Sequence, residues 1–372
     1  MVETLAKDKP TEVPARFSTS LGQQWLAGVY QGRWWTWLLL PAAWLFRALT
    51  TLRRYYLLRR RSEPRPRVPI VVVGNITLGG TGKTPLLIAL TQKLKSEGWR
   101  PGIISRGYGG RASNYPLQVT ATSDSNEAGD EPVLIAMETG CPVVVGPDRL
   151  AAAQFLLAQT ACDVILSDDG LQHYRLPRDL EIVVIDAARG LGNGQCVPAG
   201  PLREPPSRLK AVQWVVVNGQ AESVLPAEVA ALASEQVVSM VLQPHGWQQV
   251  SATGQAGSPI STHSLPQMPP MGGAVHAVAG IGNPQRFFQT LTQLGLSVKA
   301  HSFSDHFPYT EQDLDFGDNL PVVMTAKDAV KCRRFARPGW WYLSVTAQLA
   351  DGFYGDLITR LQQLAGNDRA EG

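Results

Sequence analysis

A glycine-rich segment before a predicted helix has the residue types and spacing of a phosphate-binding loop. The apolar run 71–73 leads into this segment, and Gly82-Lys83-Thr84 follows at the expected start of the helix. Glycines let backbone N–H groups approach phosphate oxygens, while Lys83 would reach the outer phosphates and the Thr84 hydroxyl would bind Mg²⁺. Thr77 stands where the general pattern has its first glycine. The predicted nucleotide-binding residues are Thr77, Gly79, Gly80, Thr81, Gly82, Lys83 and Thr84.

Two adjacent carboxylates provide the acidic partner that a phosphate-binding loop needs for its metal ion. Asp168 and Asp169 directly follow the apolar run 164–167, and His173 comes shortly after them. This pattern is typical of such a partner, although a turn at the end of a strand has the same composition. Asp186 ends another apolar run but has no second carboxylate beside it. We therefore favour Asp168 and Asp169.

Three further polar segments are compatible with chemistry or with structure alone. Arg106 lies in a glycine-rich segment that suits a phosphate contact and equally a turn. Asp130 and Glu131 stand at a predicted helix start, where the helix dipole by itself favours acids. His306 follows Asp305, and a single histidine beside an aspartate more often makes a structural hydrogen bond than a catalytic pair. The residue patterns alone leave these alternatives open.

The elements that would position these residues alternate between short apolar runs and helical patterns from residue 68 onward. Most of the runs are continuously apolar, as strands are when helices cover both faces of a parallel sheet. The predicted strands cover residues 70–73, 102–105, 142–145, 164–167, 182–186 and 214–217, and the predicted helices cover residues 83–97, 148–159 and 226–234. We predict an α/β fold in which residues 68–244 form a P-loop NTPase-like, mainly parallel sheet with helices on both faces.

The chain then becomes rich in glycine, proline and serine, which predicts an inter-domain linker over residues 245–273. The α/β alternation resumes after it, so we predict a second, smaller α/β domain over residues 274–372. Its predicted strands cover residues 275–279, 297–301, 322–325 and 342–345, with helices at 284–294 and from 351 onward.

Basic and aromatic residues are concentrated in an N-terminal segment, residues 1–67. Residues 33–67 contain nine arginines and one acid, and five of the ten tryptophans lie at positions 25 to 44. Only 13 uncharged residues separate Arg33 from Arg47, fewer than the roughly 20 that a membrane-spanning helix needs. An interfacial helix would place tryptophans among acyl chains and arginines against anionic headgroups. We predict peripheral or shallow membrane contact, and the alternative is a Trp-rich helix packed on its own domain.

The remaining composition excludes several classes of protein. With 44% hydrophobic and 17% charged residues, the chain of 372 residues can bury cores, so disordered and fibrous proteins are excluded. Four cysteines lie far apart without a C-x-x-C pair, which indicates reduced thiols in a cytosolic compartment. Nothing in the sequence indicates a nucleic-acid partner or an obligate protein partner.

The order of the motifs resembles the tetraacyldisaccharide 4'-kinase family of Gram-negative bacteria. The matching segments are residues 74–85, 105–108, 129–132, 168–173, 198–205, 280–284, 305–306 and 325–328. Thr77 is itself part of the pattern of that family, so this departure from the general motif supports the resemblance. The alternative is a P-loop GTPase of the metallochaperone type, but such proteins usually carry His/Cys clusters and the six histidines here are scattered.

The resemblance implies an ATP- and Mg²⁺-dependent kinase of lipid A biosynthesis. The γ-phosphoryl group would go to the 4'-hydroxyl of an acylated glucosamine disaccharide 1-phosphate, the tetraacyldisaccharide 1-phosphate. Because this acceptor is a membrane lipid, the resemblance also implies docking on an anionic surface, the cytoplasmic face of the bacterial inner membrane.

The resemblance further implies roles for individual residues. Asp130 would accept the proton of the sugar hydroxyl, His306 would pair with it, and Lys83 would neutralise the phosphates. An isolated aspartate is a weak base, so burial or the hydrogen bond from His306 would have to tune Asp130. The two residues belong to different predicted domains, so catalysis would require inter-domain closure. The implied metal ligands are Thr84, Glu131 and Asp169, and the implied acceptor-site residues are Asp168, Asp169, His173, Arg106 and Arg203, with the arginines as phosphate contacts.

Overall fold

The structure is a computed structural model that describes residues 21–59, 65–219, 225–251 and 273–370. The N-terminal segment forms α1 (Leu21–Tyr30), a 3₁₀ turn (Trp34–Leu39) and α2 (Leu40–Arg59). Within the described ranges, no helix is both long enough and apolar enough to cross a membrane. The predicted N-terminal segment is helical over most of residues 21–59, and its residues 1–20 and 60–64 lie outside the described residues.

The next part of the chain alternates strands and helices as predicted. The strands are β1 (Ile70–Gly74), β2 (Pro101–Ser105), β3 (Leu117–Val119), β4 (Val143–Val145), β5 (Val164–Asp168), β6 (Leu180–Asp186) and β7 (Trp214–Asn218). The helices are α3 (Lys83–Ser96), α4 (Ser125–Ala128), α5 (Asp130–Thr139) and α6 (Arg149–Gln159). Each apolar run that predicted a strand here forms one, and the short strand β3 is an addition.

The remaining elements begin after residue 225. They are α7 (Ala227–Ala230), β8 (Val237–Gln249), β9 (Ala274–Ala279), α8 (Pro284–Gln293), β10 (Ser297–Ser302), β11 (Val322–Thr325), α9 (Ala326–Cys332), β12 (Trp340–Leu349) and α10 (Asp351–Ala370). The helix predicted over residues 226–234 is wrong in extent, since α7 has four residues. Val229 is the one buried side chain of α7, and a helix without an apolar stripe gains little from tertiary packing.

The strands of the described residues form one twelve-stranded sheet in the order β10-β9-β11-β12-β8-β7-β6-β1-β5-β2-β4-β3. Neighbours are parallel except for the pairs β12 with β8 and β4 with β3. Strand β8 therefore joins the two predicted α/β units into a continuous sheet. The predicted linker begins too early, because β8 includes residues 245–249, whose mostly exposed positions carry polar residues. Residues 252–272 lie outside the described residues, and the division into two domains stays a prediction.

Apolar side chains cover both faces of the sheet. One cluster contains Leu86 of α3, Val133 of α5 and Leu357 of α10, and a second cluster on the opposite face contains Leu156 of α6. Helices on both faces confirm the predicted α/β class. Because α10 shares a core cluster with α3, the C-terminal helix also connects the two predicted units.

The register of the central strands places the chemistry-bearing loops side by side. Strand β1 pairs with β5, with Val73 opposite Asp168, and β2 pairs with the other side of β5. Because parallel strands end at the same edge of a sheet, the loops after β1, β2 and β5 meet there. This edge is the candidate active site.

Candidate active site

The loop between β1 and α3 has backbone conformations that require glycine. Gly79 and Gly82 adopt φ values of 93° and 95°, a region that other residues rarely enter. A Cβ atom on Gly82 would also lie 2.4 Å from Nδ2 of Asn218. That amide group, at the end of β7, donates a 2.9 Å hydrogen bond to the carbonyl oxygen of Thr81. The loop therefore has a fixed course before α3 begins at Lys83.

Asp168 and Asp169 follow one another in sequence but have different surroundings. Asp168 is buried, and its Oδ2 accepts a 3.0 Å hydrogen bond from the Ser105 hydroxyl. Its Oδ1 has no hydrogen-bond partner within the described residues. Asp169, with a φ of 45°, pairs with Arg203 at 3.0 Å and lies 3.8 Å from Nζ of Lys83. The first carboxylate thus has an unpartnered oxygen, while the second faces two cations.

These surroundings shift the pKa values of the two carboxyl groups in opposite directions. Burial raises the pKa of Asp168 to about 7, and the charges of Glu131 and Asp169 add to the effect. Desolvation also opposes ionisation of Asp169, but the charges of Lys83 and Arg203 outweigh it and lower the pKa of this carboxyl. The charges of Glu131 and Asp169 thus oppose ionisation of Asp168, and a cation bound among these carboxylates would favour its ionised form.

Asp130 and His306 are in direct contact although they come from distant parts of the chain. Asp130 is the buried first residue of α5, and His306 lies in the turn after β10 with a φ of 59°. Nδ1 of His306 lies 3.1 Å from both carboxylate oxygens of Asp130. Burial would raise the pKa of Asp130, but the hydrogen bond from His306 and the charge of Lys327 outweigh it, so the pKa is lowered. The environment therefore does not strengthen Asp130 as a base, contrary to the sequence-based expectation.

Lys327 of α9 completes this cluster and had no assigned role in the sequence. Its Nζ lies 3.0 Å from Oε1 of Glu131 and 3.2 Å from Nε2 of His306. Burial would lower the pKa of Lys327, but the charges of Glu131 and Asp130 raise it, so the side chain is a cation. Since an ammonium group can only donate, it donates to Nε2, and the ring proton of a neutral His306 lies on Nδ1 facing Asp130.

A basic group lies near the two aspartates. Arg149 at the start of α6 is 2% exposed, yet its Nε and Nη2 have no hydrogen-bond partner among the described residues. Burial lowers the pKa of Arg149 to about 10, with the charge of Asp168 opposing the shift. Desolvation and the charges of Arg149 and Arg106 lower the pKa of His173 to about 4. His173 is therefore neutral at physiological pH, close to two arginines.

The predicted site residues thus converge on one edge of the sheet, and two neighbours were missed. Thr77, in the loop, is buried and forms an isolated β-bridge with Leu202. Arg149 was missed because an arginine at the start of a helix reads as a solvated residue until its burial is known. Lys327 was missed because the segment 325–328 had no assigned role in the sequence, and no local pattern indicates the contact with His306.

A phosphate-binding loop lies beside paired carboxylates at the edge where the parallel strands of the sheet end. This arrangement defines a P-loop kinase fold. The sequence profile of the Tetraacyldisaccharide-1-P 4'-kinase family matches residues 35–362. The chain belongs to this family. It is an ATP-dependent lipid A 4'-kinase, and the metallochaperone-type GTPase is not supported.

Individual relatives agree with the profile. The tetraacyldisaccharide 4'-kinase of Hahella chejuensis is 46% identical over 346 residues, covering 91% of this chain and 97% of the relative. That of Alkalilimnicola ehrlichii is 51% identical over 313 residues, covering 83% and 87%. The crystal structure of LpxK from Aquifex aeolicus in complex with ATP has a TM-score of 0.71 at 25% identity, covering 88% of this chain and 99% of that one.

Proposed function

We propose that this kinase transfers the γ-phosphoryl group of ATP to the 4'-hydroxyl of a tetraacyldisaccharide 1-phosphate, with Lys83 on the phosphates and Asp130 with His306 on the hydroxyl proton. The position of Glu131 carries this assignment. Glu131 directly follows Asp130, and its charge adds to burial in raising the pKa of Asp168. The proton-accepting pair and the carboxylates beside the loop therefore belong to one cluster, where donor and acceptor can meet.

The nucleotide side of the site uses the loop and the start of α3. The N-terminus of α3, the loop N–H groups and the Lys83 ammonium would all face the β- and γ-phosphates. Lys83 lies 3.8 Å from Asp169, and the more highly charged polyphosphate would compete for it. The proposed nucleotide-binding residues remain Thr77, Gly79, Gly80, Thr81, Gly82, Lys83 and Thr84.

The donor set around Asp168 fits a Mg²⁺ ion that accompanies the nucleotide. Mg²⁺ prefers oxygen ligands and usually takes one or two carboxylates together with waters and phosphates. The unpartnered Oδ1 of Asp168 adds this residue to the proposed ligands Thr84, Glu131 and Asp169. The chemical contribution of the ion would be to neutralise charge on the transferring phosphoryl group.

Asp130 and His306 would take up the hydroxyl proton as one unit. The lowered pKa of Asp130, which the hydrogen bond from His306 and the charge of Lys327 impose against burial, favours an ionised carboxylate. An ionised Asp130 accepts the hydrogen bond from Nδ1–H of His306 and still has acceptor lone pairs for the hydroxyl proton, whereas Nε2 of the ring is already occupied by the donor Lys327. Asp130 is therefore the group that would accept the proton, and His306 would hold its carboxylate in place.

The acceptor lipid would lie against the basic side of the site. It carries a 1-phosphate, and arginine binds phosphate oxygens through two donors at once. Arg149 has two donor nitrogens without partners within the described part of the chain, and Arg106 is exposed close by. We assign the acceptor to Arg106, Arg149 and His173, with Asp168, Asp169 and Arg203 between it and the nucleotide.

The N-terminal segment would bring the enzyme to the membrane that contains its substrate. Trp34, Trp37 and Trp44 are 75%, 67% and 62% exposed, which disfavours packing of these rings on the protein itself. They belong to a continuous segment of exposed large apolar side chains, namely Leu21, Trp34, Trp37, Leu38, Trp44, Leu45, Leu49, Leu52, Tyr55, Tyr56 and Leu58. Exposed patches of this kind mark interaction surfaces. Exposed arginines in the same helices suit anionic headgroups, and ATP is supplied on the cytoplasmic face of the inner membrane.

The direct test is phosphoryl transfer by the purified full chain. The protein is incubated with ATP, Mg²⁺ and an acylated glucosamine disaccharide 1-phosphate, and the lipid is analysed by mass spectrometry. One added phosphate on the non-reducing sugar, absent with Lys83→Ala, is expected. An unmodified lipid under conditions where ATP is bound would contradict the proposal.

A further inference from the structure

Helix α1 of the N-terminal segment contacts the phosphate-binding loop through Tyr30, its last residue. The Tyr30 hydroxyl donates a 2.7 Å hydrogen bond to the carbonyl oxygen of Leu78. Burial raises the pKa of Tyr30, so the hydroxyl keeps its proton and remains a donor. A residue from the segment that carries the exposed tryptophans therefore reaches the backbone of the nucleotide site.

Arg189 makes a second contact with the same loop. Its Nη2 donates a hydrogen bond to the carbonyl oxygen of Gly80 and lies 3.4 Å from Oδ2 of Asp186. The other oxygen of Asp186, at the end of β6, accepts a 3.3 Å hydrogen bond from the Arg189 backbone. The guanidinium carbon lies 5.4 Å from the centre of the Tyr30 ring, within the range of a cation–π contact. Asp186 thus positions Arg189, which links Tyr30 to the loop.

Two glycines provide the space for these side chains. A Cβ atom on Gly79 would lie 2.7 Å from Nη1 of Arg189, and one on Gly192 would lie 3.2 Å from the Tyr30 ring. Gly79 and Gly192 also have φ values of 93° and 60°. The conformation therefore requires glycine at position 79, and a Cβ atom there would also displace the Arg189 guanidinium.

Peptide geometry determines what these contacts do. In a planar trans peptide, the carbonyl oxygen and the N–H of the next residue point in opposite directions. A hydrogen bond to the Leu78 oxygen therefore orients the N–H of Gly79, and one to the Gly80 oxygen orients the N–H of Thr81. Asn218 donates a hydrogen bond to the Thr81 oxygen and so orients the N–H of Gly82 in the same way.

We infer that Tyr30 and Arg189 are positioning residues that orient the N–H groups of Gly79 and Thr81 toward the nucleotide phosphates. This inference rests on the proposed assignment of the loop to ATP. It makes α1 a structural part of the nucleotide site, in addition to any role of the N-terminal segment at a membrane. Neither side chain needs to touch the nucleotide to act in this way.

The test compares Tyr30→Phe, Arg189→Ala and Arg189→Lys in the full chain. Tyr354→Phe is the control, because Tyr354 is half-buried, its pKa is also raised by burial, and it lies on α10 away from the loop. The measured quantities are the Kd for a fluorescent non-hydrolysable ATP analogue, KM for ATP, KM for the lipid, and sedimentation with anionic vesicles.

Tyr30→Phe and Arg189→Ala should each raise the Kd and KM for ATP about threefold to tenfold, the usual contribution of one hydrogen bond. KM for the lipid and vesicle binding should stay within about twofold of the unmodified enzyme, since nothing on the exposed face changes. Arg189→Lys, which keeps a donor, should recover part of the loss. Tyr354→Phe should behave as the unmodified enzyme.

Unchanged nucleotide affinity in both Tyr30→Phe and Arg189→Ala would overturn the inference. Equal losses of ATP and lipid affinity with a lower melting temperature would also overturn it, because they indicate a general structural role. The proposed function is tested separately by Lys83→Ala. If that variant keeps full turnover, the loop assignment itself fails, whatever Tyr30→Phe does.

Discussion

Nδ1 of His306 lies 3.1 Å from both carboxylate oxygens of Asp130, although the two residues are 176 positions apart. The Tyr108 ring packs against the same imidazole, with ring centres 4.9 Å apart. Lys327 approaches its other nitrogen at 3.2 Å. The proposed proton-accepting pair is therefore assembled from both ends of the continuous sheet, and its geometry depends on their association.

Asp130→Asn and His306→Ala should each lower kcat by roughly 10²-fold, within the usual contribution of general base catalysis. KM for ATP should change little, because both residues are assigned to the acceptor hydroxyl and not to the phosphates. Since His306 would act through Asp130, the double variant should lose much less than the product of the two single losses. Steady-state kinetics on the three variants provides the measurement.

The control for this series is His245→Ala, which removes an exposed histidine from β8 and should leave kcat unchanged. Fully multiplicative losses in the double variant would show that Asp130 and His306 act independently. His306 would then be assigned to acceptor binding and not to proton transfer.

Lys83→Ala should abolish turnover without unfolding the chain, because the ammonium acts on the polyphosphate and not on the core. The matched control is Lys210→Ala, an exposed lysine in a 3₁₀ turn. Turnover and the thermal unfolding curve are measured for both variants. Near-normal turnover by Lys83→Ala with an unchanged melting temperature would remove the assignment of the phosphate-binding loop.

Replacing Trp34, Trp37 and Trp44 together by serine should release the protein from anionic vesicles and raise KM for the lipid more than KM for ATP. High salt should weaken the remaining attraction, because the Debye length falls to about 3 Å at 1 M. Vesicle sedimentation at low and high salt measures the release and its salt dependence, and steady-state kinetics measures the two KM values. Deletion of residues 1–60 is a less specific test, since it also removes Tyr30 from the loop. Unchanged sedimentation of the triple variant would place the membrane contact elsewhere.

The sequence predicted the local features of this protein well because each depends on neighbouring residues. Apolar runs predict buried parallel strands, and the glycine pattern before Lys83 predicts a phosphate-binding loop. The local pattern did not predict that the sheet is continuous, since the mostly polar and exposed second half of β8 has the composition of a linker. The contact between Tyr30 and the Leu78 oxygen was also inaccessible, because a side-chain hydrogen bond to backbone leaves no pattern in the sequence.

The site was predictable to the extent that its residues follow strands in recognisable motifs. The family resemblance indicated Asp130 and His306, and the structure places them in contact. The lowered pKa of Asp130 depends on the hydrogen bond from His306 and on the charge of Lys327, whose approach to the pair is a matter of tertiary packing. Arg149 is a candidate only because the structure buries its guanidinium and leaves Nε and Nη2 without hydrogen-bond partners among the described residues.

Acid should destabilise the protein partly through His173. Desolvation and two nearby arginines lower the pKa of His173 from 6.5 to about 4 in the folded state, so the unfolded chain binds more protons between these values. The free energy of unfolding should therefore fall as the pH decreases from about 6.5 toward about 4, by about 2 kcal/mol at pH 5. Urea unfolding of the unmodified protein and His173→Gln at about pH 7.5 and about pH 5 measures the difference. Equal pH dependence in both proteins would contradict this assignment.

Gly282→Ala should impair nucleotide binding because Gly282 packs directly against the backbone of the phosphate-binding loop. A Cβ atom on Gly282, in the turn between β9 and α8, would lie 2.6 Å from the backbone nitrogen of Gly80. Backbone atoms cannot move aside as a flexible side chain does, so the turn or the loop must shift, and small misplacements in an active site reduce rates strongly. We expect kcat/KM for ATP to fall by roughly tenfold or more. Gly246→Ala is the control, since a Cβ atom there would meet no heavy atom within 4 Å. Equal activity of the two variants would show that the turn and the loop do not need their close contact during turnover.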